Sequence, residues 1–528
     1  MNQVLKNPIL PGFYPDPSIC RKGGDYYMVT STFEYFPGVP VFHSRDLVHW
    51  RQIGHCLDRP DQLDLDGLNC SKGIYASTIR YHEKQDKFYM VTTLVKNPPY
   101  WTNVNFFVTA DDPAGPWSAP TVVKGAVGID PTLFFDDDGK AYYLGNMRPH
   151  PDDPNCMNRH FWLQEVDLET GELLGEKWIL RTDGALYNAE CPEGPHLYKI
   201  GGWYYLMVAE GGTNLNHCET IFRSRNVSGP YEENPRNPLI THRSLRREQP
   251  INCPGHADLF QTQNGEWWAV LLGSRPVGDI FRGNLGRETF LVPVIWEEGW
   301  PVFSPDTGRV EQEFPAPNLP ACPWPDEPSC DQFESEKLNY CWVTPRTPRR
   351  RNYSLTERPG WLRLYLSPET LKDAANPAFL GRRQQHKHFS ARTKMEFQPQ
   401  TAQESAGLAL LMSSNFQLRL EYTLLGGQPS LVLTRRFAGE DESIAEIPCG
   451  ARTVWLKVTA REQDYNFYFA EKAEEWQVLA EHVDGRLLSM EVAGGFTGAL
   501  VGLYASSNGT GSGAYADFDW FEYHEIEP

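Results

Sequence analysis

Three carboxylates occur at the same place in a repeated pattern of the sequence. Asp16 in YPDPS, Asp130 in IDPTLF and Glu193 in PEGPHLY stand eleven, thirteen and twelve residues before an aromatic-rich apolar segment. If the repeated units surround one axis, these side chains meet in one cavity, where their like charges repel each other. Because such a cluster does not favour folding, we interpret it as a functional site. Carboxyl groups held in opposite protonation states can cleave a glycosidic bond.

Cleavage of a glycosidic bond with inversion needs two carboxyl groups that have different tasks. One protonates the leaving oxygen, and the other deprotonates a water molecule on the opposite face of the sugar. A third carboxylate near the acid can raise the pKa of the acid by repulsion and can orient it. The spacing alone does not assign these tasks, and Glu190, three residues before Glu193, is an alternative acid.

The repeated pattern also predicts the architecture that must position these residues. A turn followed by an aromatic-rich strand recurs five times, at intervals of 54 to 63 residues. The five copies are GDYYMVTS at Tyr27, DKFYMVTT at Tyr89, GKAYYLGN at Tyr143, GGWYYLMVAE at Tyr205 and GEWWAVLL at Trp268. Each interval has room for four strands, which predicts a five-bladed β-propeller. Tyr75 and His256 take the position of the carboxylates in the second and fifth units.

The chain changes character after the fifth unit. Residues 313–330 are rich in proline and predict a stiff linker. Beyond them, segments such as FQLRLEYTLL, VWLKVTA and YNFYFAE alternate apolar and polar residues, which is typical of strands with one buried face. We therefore predict an all-β protein, with a five-bladed β-propeller over residues 1–312 and a jelly-roll-like β-sandwich over residues 331–528.

Charge and composition restrict the classes of molecule that the chain is expected to bind. Its net charge of −19 disfavours nucleic acid, whose phosphates attract Lys and Arg. No apolar run has the length of a membrane span, so we expect no membrane contact. No secretion signal is visible and the cysteines show no C-x-x-C pair, so we predict a cytoplasmic protein with reduced thiols. The expected partner is a small oligosaccharide, and the sequence leaves the formation of a homo-oligomer open.

Seven motifs in a fixed order resemble those of a known family. They are NPILPGFYPDPSIC, FEYFPGVPVFHSRDLVHW, GIDPTLFFDDDG, PEGPHLYK, AEGGT, GHADLF and LGRETFL. The chain thereby resembles glycoside hydrolase family 43, and in particular its two-domain branch of β-xylosidases and α-L-arabinofuranosidases. The resemblance runs from residue 7 to about residue 310, and it continues more faintly through FTGALVGLYASSNG and DFDWFEY to the end of the chain.

The resemblance implies a task for each carboxylate. It makes Asp16 the general base, Glu193 the general acid and Asp130 the residue that adjusts the pKa of the acid and orients it. Arg287, in LGRET, is implied to bind sugar hydroxyls in the −1 subsite near the base. The other residues that we expect to contact substrate are Phe33, Tyr75, Thr213 and His256.

Some of these residues have a plainer interpretation. Phe33 and Tyr75 are also compatible with ordinary core aromatics, and His256 with a structural hydrogen-bonding group. In some family members the histidine at the position of His256 supports a calcium ion, mostly through water, so the resemblance leaves calcium open there. It implies no required cofactor and no metal ligands supplied by the protein.

The sequence therefore predicts an inverting exo-glycosidase that releases single pentoses from the non-reducing ends of short xylo-oligosaccharides. β-D-Xylose is favoured, and α-L-arabinofuranosidase activity, alone or in addition, is the first alternative. A retaining glycosidase and a non-catalytic sugar-binding propeller are further alternatives. The resemblance also implies that a loop of the sandwich helps to close the pocket, for which residues 508–515 are the candidates.

Overall fold

The chain folds almost entirely into β-strands. A computed structural model describes residues 3–99, 102–150, 158–187, 190–246, 248–278 and 283–527. The helices of the described part are short and include the α-helical turn Met490–Ala493 and the 3₁₀ turns Glu83–Gln85 and Gly485–Leu488. None of the helices in these ranges has the length and apolar character that crossing a bilayer requires. The prediction of an all-β protein is confirmed.

The chain up to Phe303 forms five antiparallel sheets, which we number 1 to 5 in chain order. Sheet 1 consists of Ser18–Lys22, Asp25–Val29, Gly38–Ser44 and Arg51–Leu57. Sheet 2 consists of Gly73–Ile74, Thr78–His82, Lys87–Val95, Val104–Ala110 and Thr121–Val122. Sheet 3 consists of Thr132–Phe135, Ala141–Met147, His160–Val166 and Leu173–Arg181. Sheet 4 consists of Glu193–Ile200, Trp203–Glu210, Cys218–Ser224, Glu232–Glu233 and Ile240–Thr241. Sheet 5 consists of Asn252–Gln261, Trp267–Ser274, Glu288–Glu297 and Trp300–Phe303.

Each of the five sheets contains a hairpin of the same kind, and the repeated aromatic residue lies on the second strand of that hairpin. The cross-strand pairs are Tyr27 with Cys20, Tyr89 with Arg80, Tyr143 with Leu133, Tyr205 with Tyr198 and Trp268 with Phe260. Aromatic and β-branched residues favour this pleated, half-buried setting. We call the first strand of each hairpin the leading strand of its sheet. The leading strands are Ser18–Lys22, Thr78–His82, Thr132–Phe135, Glu193–Ile200 and Asn252–Gln261.

Buried apolar side chains join each sheet to the next. Separate clusters lie between sheets 1 and 2, 2 and 3, 3 and 4, and 4 and 5. A further cluster packs Met28 of sheet 1 with Val270 and Leu291 of sheet 5. The ends of this region also meet, because Val4–Lys6 pairs with Glu313–Pro315. The five sheets are therefore connected in a cycle.

Two large antiparallel sheets form the C-terminal β-sandwich and enclose one apolar core, which includes Phe389, Leu408 and Val458. Sheet 6 consists of Cys330–Asp331, Tyr353–Ser354, Leu362–Tyr365, His388–Glu396, Thr453–Arg461, Asp464–Ala470, Gln477–Asp484 and Tyr515–Glu525. Sheet 7 consists of Ala378–Arg383, Ser405–Ser413, Phe416–Leu425, Gln428–Phe437, Glu440–Pro448 and Leu500–Ser506.

The sandwich and the five-sheet region are held together by backbone contacts. Tyr35–Phe36 pairs with Thr344–Pro345 as a two-stranded sheet. The backbone N–H of Ala499 donates to the carbonyl oxygen of Asn284 over 2.8 Å. This last contact holds the segment 494–499, which precedes a strand of sheet 7, against the residues that precede the strand Glu288–Glu297 of sheet 5.

Candidate active site

The three carboxylates lie at the beginning of three leading strands. Asp16 stands two residues before Ser18–Lys22, Asp130 stands two residues before Thr132–Phe135, and Glu193 begins its strand. The φ angles of Asp16 and Asp130 are 54° and 53°, and the equivalent residue of sheet 5, His256, has a φ of 53°. Left-handed backbone is uncommon for residues other than glycine and clusters at functional sites. The strain therefore recurs at the positions where the repeat predicts function.

Asp16 is a buried carboxylate with a set of donors around it. Arg287 Nη1 donates to Asp16 Oδ1 over 2.6 Å, and Ser31 Oγ donates to Asp16 Oδ2 over 2.6 Å. The Nδ1 atom of His256 lies 3.6 Å from Asp16 Oδ1. Burial alone would raise the pKa of Asp16, but Arg287, His256 and Ser31 outweigh it, and the pKa is lowered. Asp16 is thus ionised at neutral pH.

Glu193 and Asp130 have the opposite electrostatic character. Burial raises the pKa of Glu193 to about 7, and the charge of Asp16 acts in the same direction. Burial also raises the pKa of Asp130 well above its usual range, and repulsion from Glu193 and Asp16 adds to this. Because Asp130 is affected by both other carboxylates, the three groups share one electrostatic site. At neutral pH this pair retains a proton, which a general acid requires.

Gly194 permits the close packing between Glu193 and the centre of the site. Its N–H donates to Asp130, and its φ is 58°. A Cβ atom at this position would lie 2.6 Å from His256 Nε2, and this is shorter than a van der Waals contact allows. The glycine in PEGPH is therefore required by a close approach, not only by a turn.

The guanidinium of Arg287 is buried beside Asp16 and has unused hydrogen-bonding capacity. Its Nε atom has no hydrogen-bond partner among the described residues. Buried donors in folded proteins are nearly always paired, so an unpaired one at a cavity is suited to a ligand oxygen. The same guanidinium lies 5.6 Å from the ring centre of Phe33.

Two predicted aromatic residues form one wall with a third residue that comes from the sandwich. The ring centres of Phe33 and Tyr75 are 5.0 Å apart, and that of Phe496 lies 5.8 Å from Phe33 and 6.1 Å from Tyr75. Phe496 also lies next to Arg287, whose Nη2 donates to its carbonyl oxygen over 3.4 Å. We call Phe33, Tyr75 and Phe496 the aromatic wall.

His256 has a neutral imidazole in the structure. Burial lowers its pKa, while Asp16 opposes and Arg287 reinforces this shift. Within the described ranges no group of three or more His, Cys, Asp or Glu side chains is arranged to hold a metal ion.

The sequence of this chain matches two family descriptions that together cover most of it. Residues 5–301 match glycosyl hydrolases family 43, and residues 330–524 match the β-xylosidase C-terminal concanavalin A-like domain. The chain belongs to glycoside hydrolase family 43. It is therefore a glycoside hydrolase with an oligosaccharide substrate, and the alternative of a non-catalytic sugar-binding protein is not supported.

Relatives of this family 43 enzyme match it along nearly its whole length. A xylosidase/arabinosidase of Butyrivibrio fibrisolvens is 42% identical and covers 99% of this chain and 100% of that protein. A non-reducing end α-L-arabinofuranosidase of Bacteroides ovatus is also 42% identical, over 99% of this chain and 96% of that protein. The crystal structure of a xylan β-1,4-xylosidase from Bacillus halodurans is 37% identical and has a TM-score of 0.92, over 99% of this chain and 100% of that one.

Two predicted residues have a less direct relation to the carboxylates. Thr213 lies half-buried in the turn after Trp203–Glu210, and within the described ranges no hydrogen bond joins its side chain to the three carboxylates. Glu190, the alternative acid, is exposed, whereas Glu193 is partly buried beside Asp130. A general acid with a raised pKa needs burial, so the structure favours Glu193 over Glu190.

The loop prediction for the sandwich was wrong. Asn508 Nδ2 donates to the carbonyl oxygen of Gln403 over 2.7 Å, and Ser512 Oγ donates to Glu404 over 2.8 Å. These bonds hold residues 508–515 against their own domain, and Phe496 reaches the site instead. Sequence reasoning assigned no role to Phe496, Ser31 or Gly194. Two of them left a signal, because a glycine follows the predicted acid directly and Phe496 is the first residue of the motif FTGALVGLYASSNG.

Proposed function

We propose that this enzyme is an inverting exo-glycosidase in which Asp16 is the general base and Glu193 the general acid. The opposite pKa shifts of these two carboxylates in one site carry the proposal. Asp16 takes a proton from a water molecule, whose oxygen forms a bond to the anomeric carbon. As the bond from this carbon to the glycosidic oxygen breaks, Glu193 donates its proton to that oxygen. One displacement of this kind inverts the anomeric configuration.

Asp130 and Arg287 support the two reacting groups in this proposal. Burial and the charge of Asp16 keep the pKa of Glu193 high enough for proton donation at neutral pH. Asp130 orients Glu193 and, when ionised, raises that pKa further. Arg287 keeps Asp16 ionised and offers its Nε to a sugar hydroxyl. Phe33, Tyr75 and Thr213 would contact the sugar ring, and His256 would line the centre of the site beside Asp16.

We propose β-D-xylose at the non-reducing end of a short oligosaccharide as the main substrate. The names of the relatives support a pentose, and the aromatic wall supports a pocket that holds one terminal ring. α-L-Arabinofuranosidase activity is the second candidate, because the Butyrivibrio fibrisolvens relative carries both activities in its name and the Bacteroides ovatus relative carries the second.

Two measurements test this proposal. We expect kcat/KM for 4-nitrophenyl β-D-xyloside to exceed that for 4-nitrophenyl α-L-arabinofuranoside, and the reverse order would establish the second candidate. Proton NMR of the first sugar released from the β-xyloside should show the α-anomer. A β-anomer as the first product would instead establish a retaining mechanism and would overturn the roles of Asp16 and Glu193.

We further propose that the five sheets are the blades of a five-bladed β-propeller over residues 1–312. The apolar clusters between successive sheets, including the one between sheets 5 and 1, support a closed ring. Residues 313–330 would be the linker and residues 331–528 the jelly-roll-like sandwich. Limited proteolysis tests these boundaries, because cleavage should concentrate between Pro315 and Cys330.

We propose that catalysis requires no cofactor. A calcium ion would be bound near His256 through water and would stabilise the centre of the propeller without taking part in proton transfer. We expect dialysis against EDTA to leave kcat/KM unchanged within about twofold, since no step uses the ion. A loss of activity that calcium restores would contradict this.

The location and assembly of the enzyme also remain proposals. We propose a cytoplasmic enzyme that acts on small oligosaccharides, without nucleic acid or membrane partners. Support comes from the cysteines, because none of the ten that the structure describes forms a disulfide. Cell fractionation tests the location, and light scattering would show whether the enzyme forms a homo-oligomer.

A further inference from the structure

Ser71 connects three parts of the site through its three polar groups. Its backbone N–H donates to Glu34 Oε2 over 2.9 Å, and its carbonyl oxygen accepts a bond from the hydroxyl of Tyr75 over 3.0 Å. Its side-chain Oγ accepts a bond from the backbone N–H of Phe496 over 2.9 Å. Glu34 directly follows Phe33, so each bond of Ser71 leads to a different member of the aromatic wall.

The backbone of Ser71 is in a strained conformation that its surroundings maintain. Its φ is 61°, and the residue is buried. Non-glycine residues in this region persist where neighbouring contacts over-determine them. The hydrogen bond from Phe496 N–H to Ser71 Oγ also requires a glycine at position 495, because a Cβ atom there would lie 2.5 Å from Ser71 Oγ. Gly495 thus allows the sandwich segment to approach the hydroxyl.

The hydroxyl of Ser71 is the only one of the three groups that reaches the other domain. Phe496 N–H has no other hydrogen-bond acceptor among the described residues, and its ring stacks on Phe33 at an angle of 24°. This side-chain hydrogen bond acts together with the bonds from Ala499 to Asn284 and from Arg287 to the carbonyl oxygen of Phe496. Of these, it is the bond that ties the backbone N–H of Phe496 to the segment carrying Tyr75.

We propose that Ser71 is a positioning residue that fixes the aromatic wall and thereby sets the affinity of the pocket for the terminal sugar ring. The proposal rests on the pentosidase activity proposed above. Ser71 takes no part in proton transfer, so its removal weakens sugar binding in the ground state and the transition state to the same extent.

The variant Ser71→Gly tests this role with little risk to folding. Glycine adopts the positive φ readily, so the backbone keeps its place while the hydroxyl is lost. We expect KM for the preferred aryl pentoside and the inhibition constant of the free pentose to rise by about fivefold, as for the loss of one hydrogen bond. We expect kcat to stay within about twofold of the wild-type value. An unchanged inhibition constant would overturn the proposal.

A double-mutant comparison separates this role from a general structural one. In a Phe496→Ala background, Ser71→Gly should change the inhibition constant by less than about twofold, since its partner ring is already absent. A full fivefold effect in that background would show that Ser71 does not act through Phe496. Ser44→Ala is a matched control, because Ser44 Oγ accepts a backbone bond from Leu47 over 2.8 Å on sheet 1.

The control variant Ser44→Ala should leave both KM and the inhibition constant of the free pentose unchanged. A wild-type enzyme that neither cleaves aryl pentosides nor is inhibited by free pentoses would instead refute the proposed function. The failure of the Ser71 proposal gives a different result: the wild type is active, and Ser71→Gly binds the pentose as tightly as the wild type does.

Discussion

Two aspartate–arginine pairs with buried carboxylates lie close together in the five-sheet region. Asp16 pairs with Arg287 at the proposed catalytic site, and Asp258 pairs with Arg80 over 2.7 Å. Ser18, two residues after Asp16, donates to Asp258 Oδ2 over 2.7 Å. The leading strand of sheet 1 thus links the two pairs, each of which consists of one aspartate and one arginine.

The two pairs differ in how completely their hydrogen-bonding groups are used. Asp258 accepts bonds from Arg80, from Ser18, from the N–H of Ile19 and from the hydroxyl of Tyr198. Burial would raise the pKa of Asp258, but Arg80 and these donors outweigh it and lower the pKa. The Asp16 pair instead leaves Arg287 Nε without a partner among the described residues. We call the Asp258 pair saturated, because its carboxylate accepts several bonds, and such a pair stabilises the fold. We call the Asp16 pair incomplete, because it leaves a buried donor unpaired, and such a pair is suited to a ligand.

The largest effect should come from removing the charge of the incomplete pair. Asp16→Asn keeps the shape of the side chain but abolishes its capacity to deprotonate water, so we expect kcat/KM to fall by about 10³- to 10⁴-fold. The melting temperature should stay within a few degrees, because the amide oxygen can accept from Arg287 while the amide nitrogen faces the hydroxyl of Ser31, which can also accept. At Asp258 both oxygens accept from Arg80, so an amide nitrogen there would face a donor. Asp258→Asn should have the opposite pair of effects. It should lower the melting temperature, while the enzyme that remains folded keeps most of its kcat/KM. Equal losses of activity in both folded variants would remove the distinction between the pairs.

The next effect concerns the acid, whose pKa is raised where that of Asp16 is lowered. Glu193→Gln cannot donate a proton, so we expect about a 10³-fold loss of kcat/KM for xylobiose. An aryl xyloside with an acidic phenol needs little protonation of its leaving group, and its loss should be much smaller. Comparing leaving groups of different pKa measures this. A loss independent of the leaving group would contradict the role of Glu193, and Glu190→Gln is the matched control.

The carboxylates of the site could be predicted from the sequence because each unit of the repeat places its leading strand in the same way. Asp16, Asp130 and Glu193 each stand eleven to thirteen residues before the aromatic segment of their unit, and this nearly constant distance is a local property that the sequence displays directly. The spacing alone did not give the pKa directions, and only the resemblance implied which carboxylate is the base and which the acid. The lowered pKa of Asp16 depends on Arg287, which is 271 residues away, and the raised pKa of Glu193 depends on burial.

The contribution of the sandwich could not be predicted for a related reason. Phe496 meets Ser71 across 425 residues, and no repeat or periodicity links the two segments. Residues 508–515 resemble an open loop because they are rich in Gly and Ser, but Asn508 and Ser512 bond to residues 403–404. Local composition indicates a loop, whereas side-chain partners decide where it lies.

A smaller effect, on stability, should come from breaking the saturated pair. Arg80→Met leaves Asp258 buried without its counter-charge, so we expect the free energy of unfolding to fall by about 3–5 kcal/mol. Because the folded-state pKa of Asp258 is lowered by the pair, the stability from this pair is present above the unfolded pKa and is lost as pH falls. That loss begins only below the unfolded pKa of about 3.9, so the wild-type pair is still intact at pH 4. In the variant, burial without Arg80 raises the pKa of Asp258, and protonation at pH 4 relieves the cost of a buried charge. Urea unfolding should therefore show a smaller difference between variant and wild type at pH 4 than at pH 7. An equal difference at both values would show that the charge of Asp258 is not involved.

The smallest effect should appear at Asp130, whose charge distinguishes the environment of the acid from that of the base. Glu193 raises the pKa of Asp130, and electrostatic repulsion is mutual, so Asp130→Asn should lower the pKa of Glu193 below its value of about 7. We expect the upper limb of the kcat/KM profile against pH to move down by about one unit, while the lower limb, set by Asp16, stays in place. Asp136→Asn, on the same sheet but bonded to Lys199 and Tyr204, is the control that should leave both limbs unchanged. If Asp130→Asn leaves the upper limb in place, Asp130 is protonated throughout this range and orients Glu193 without tuning it.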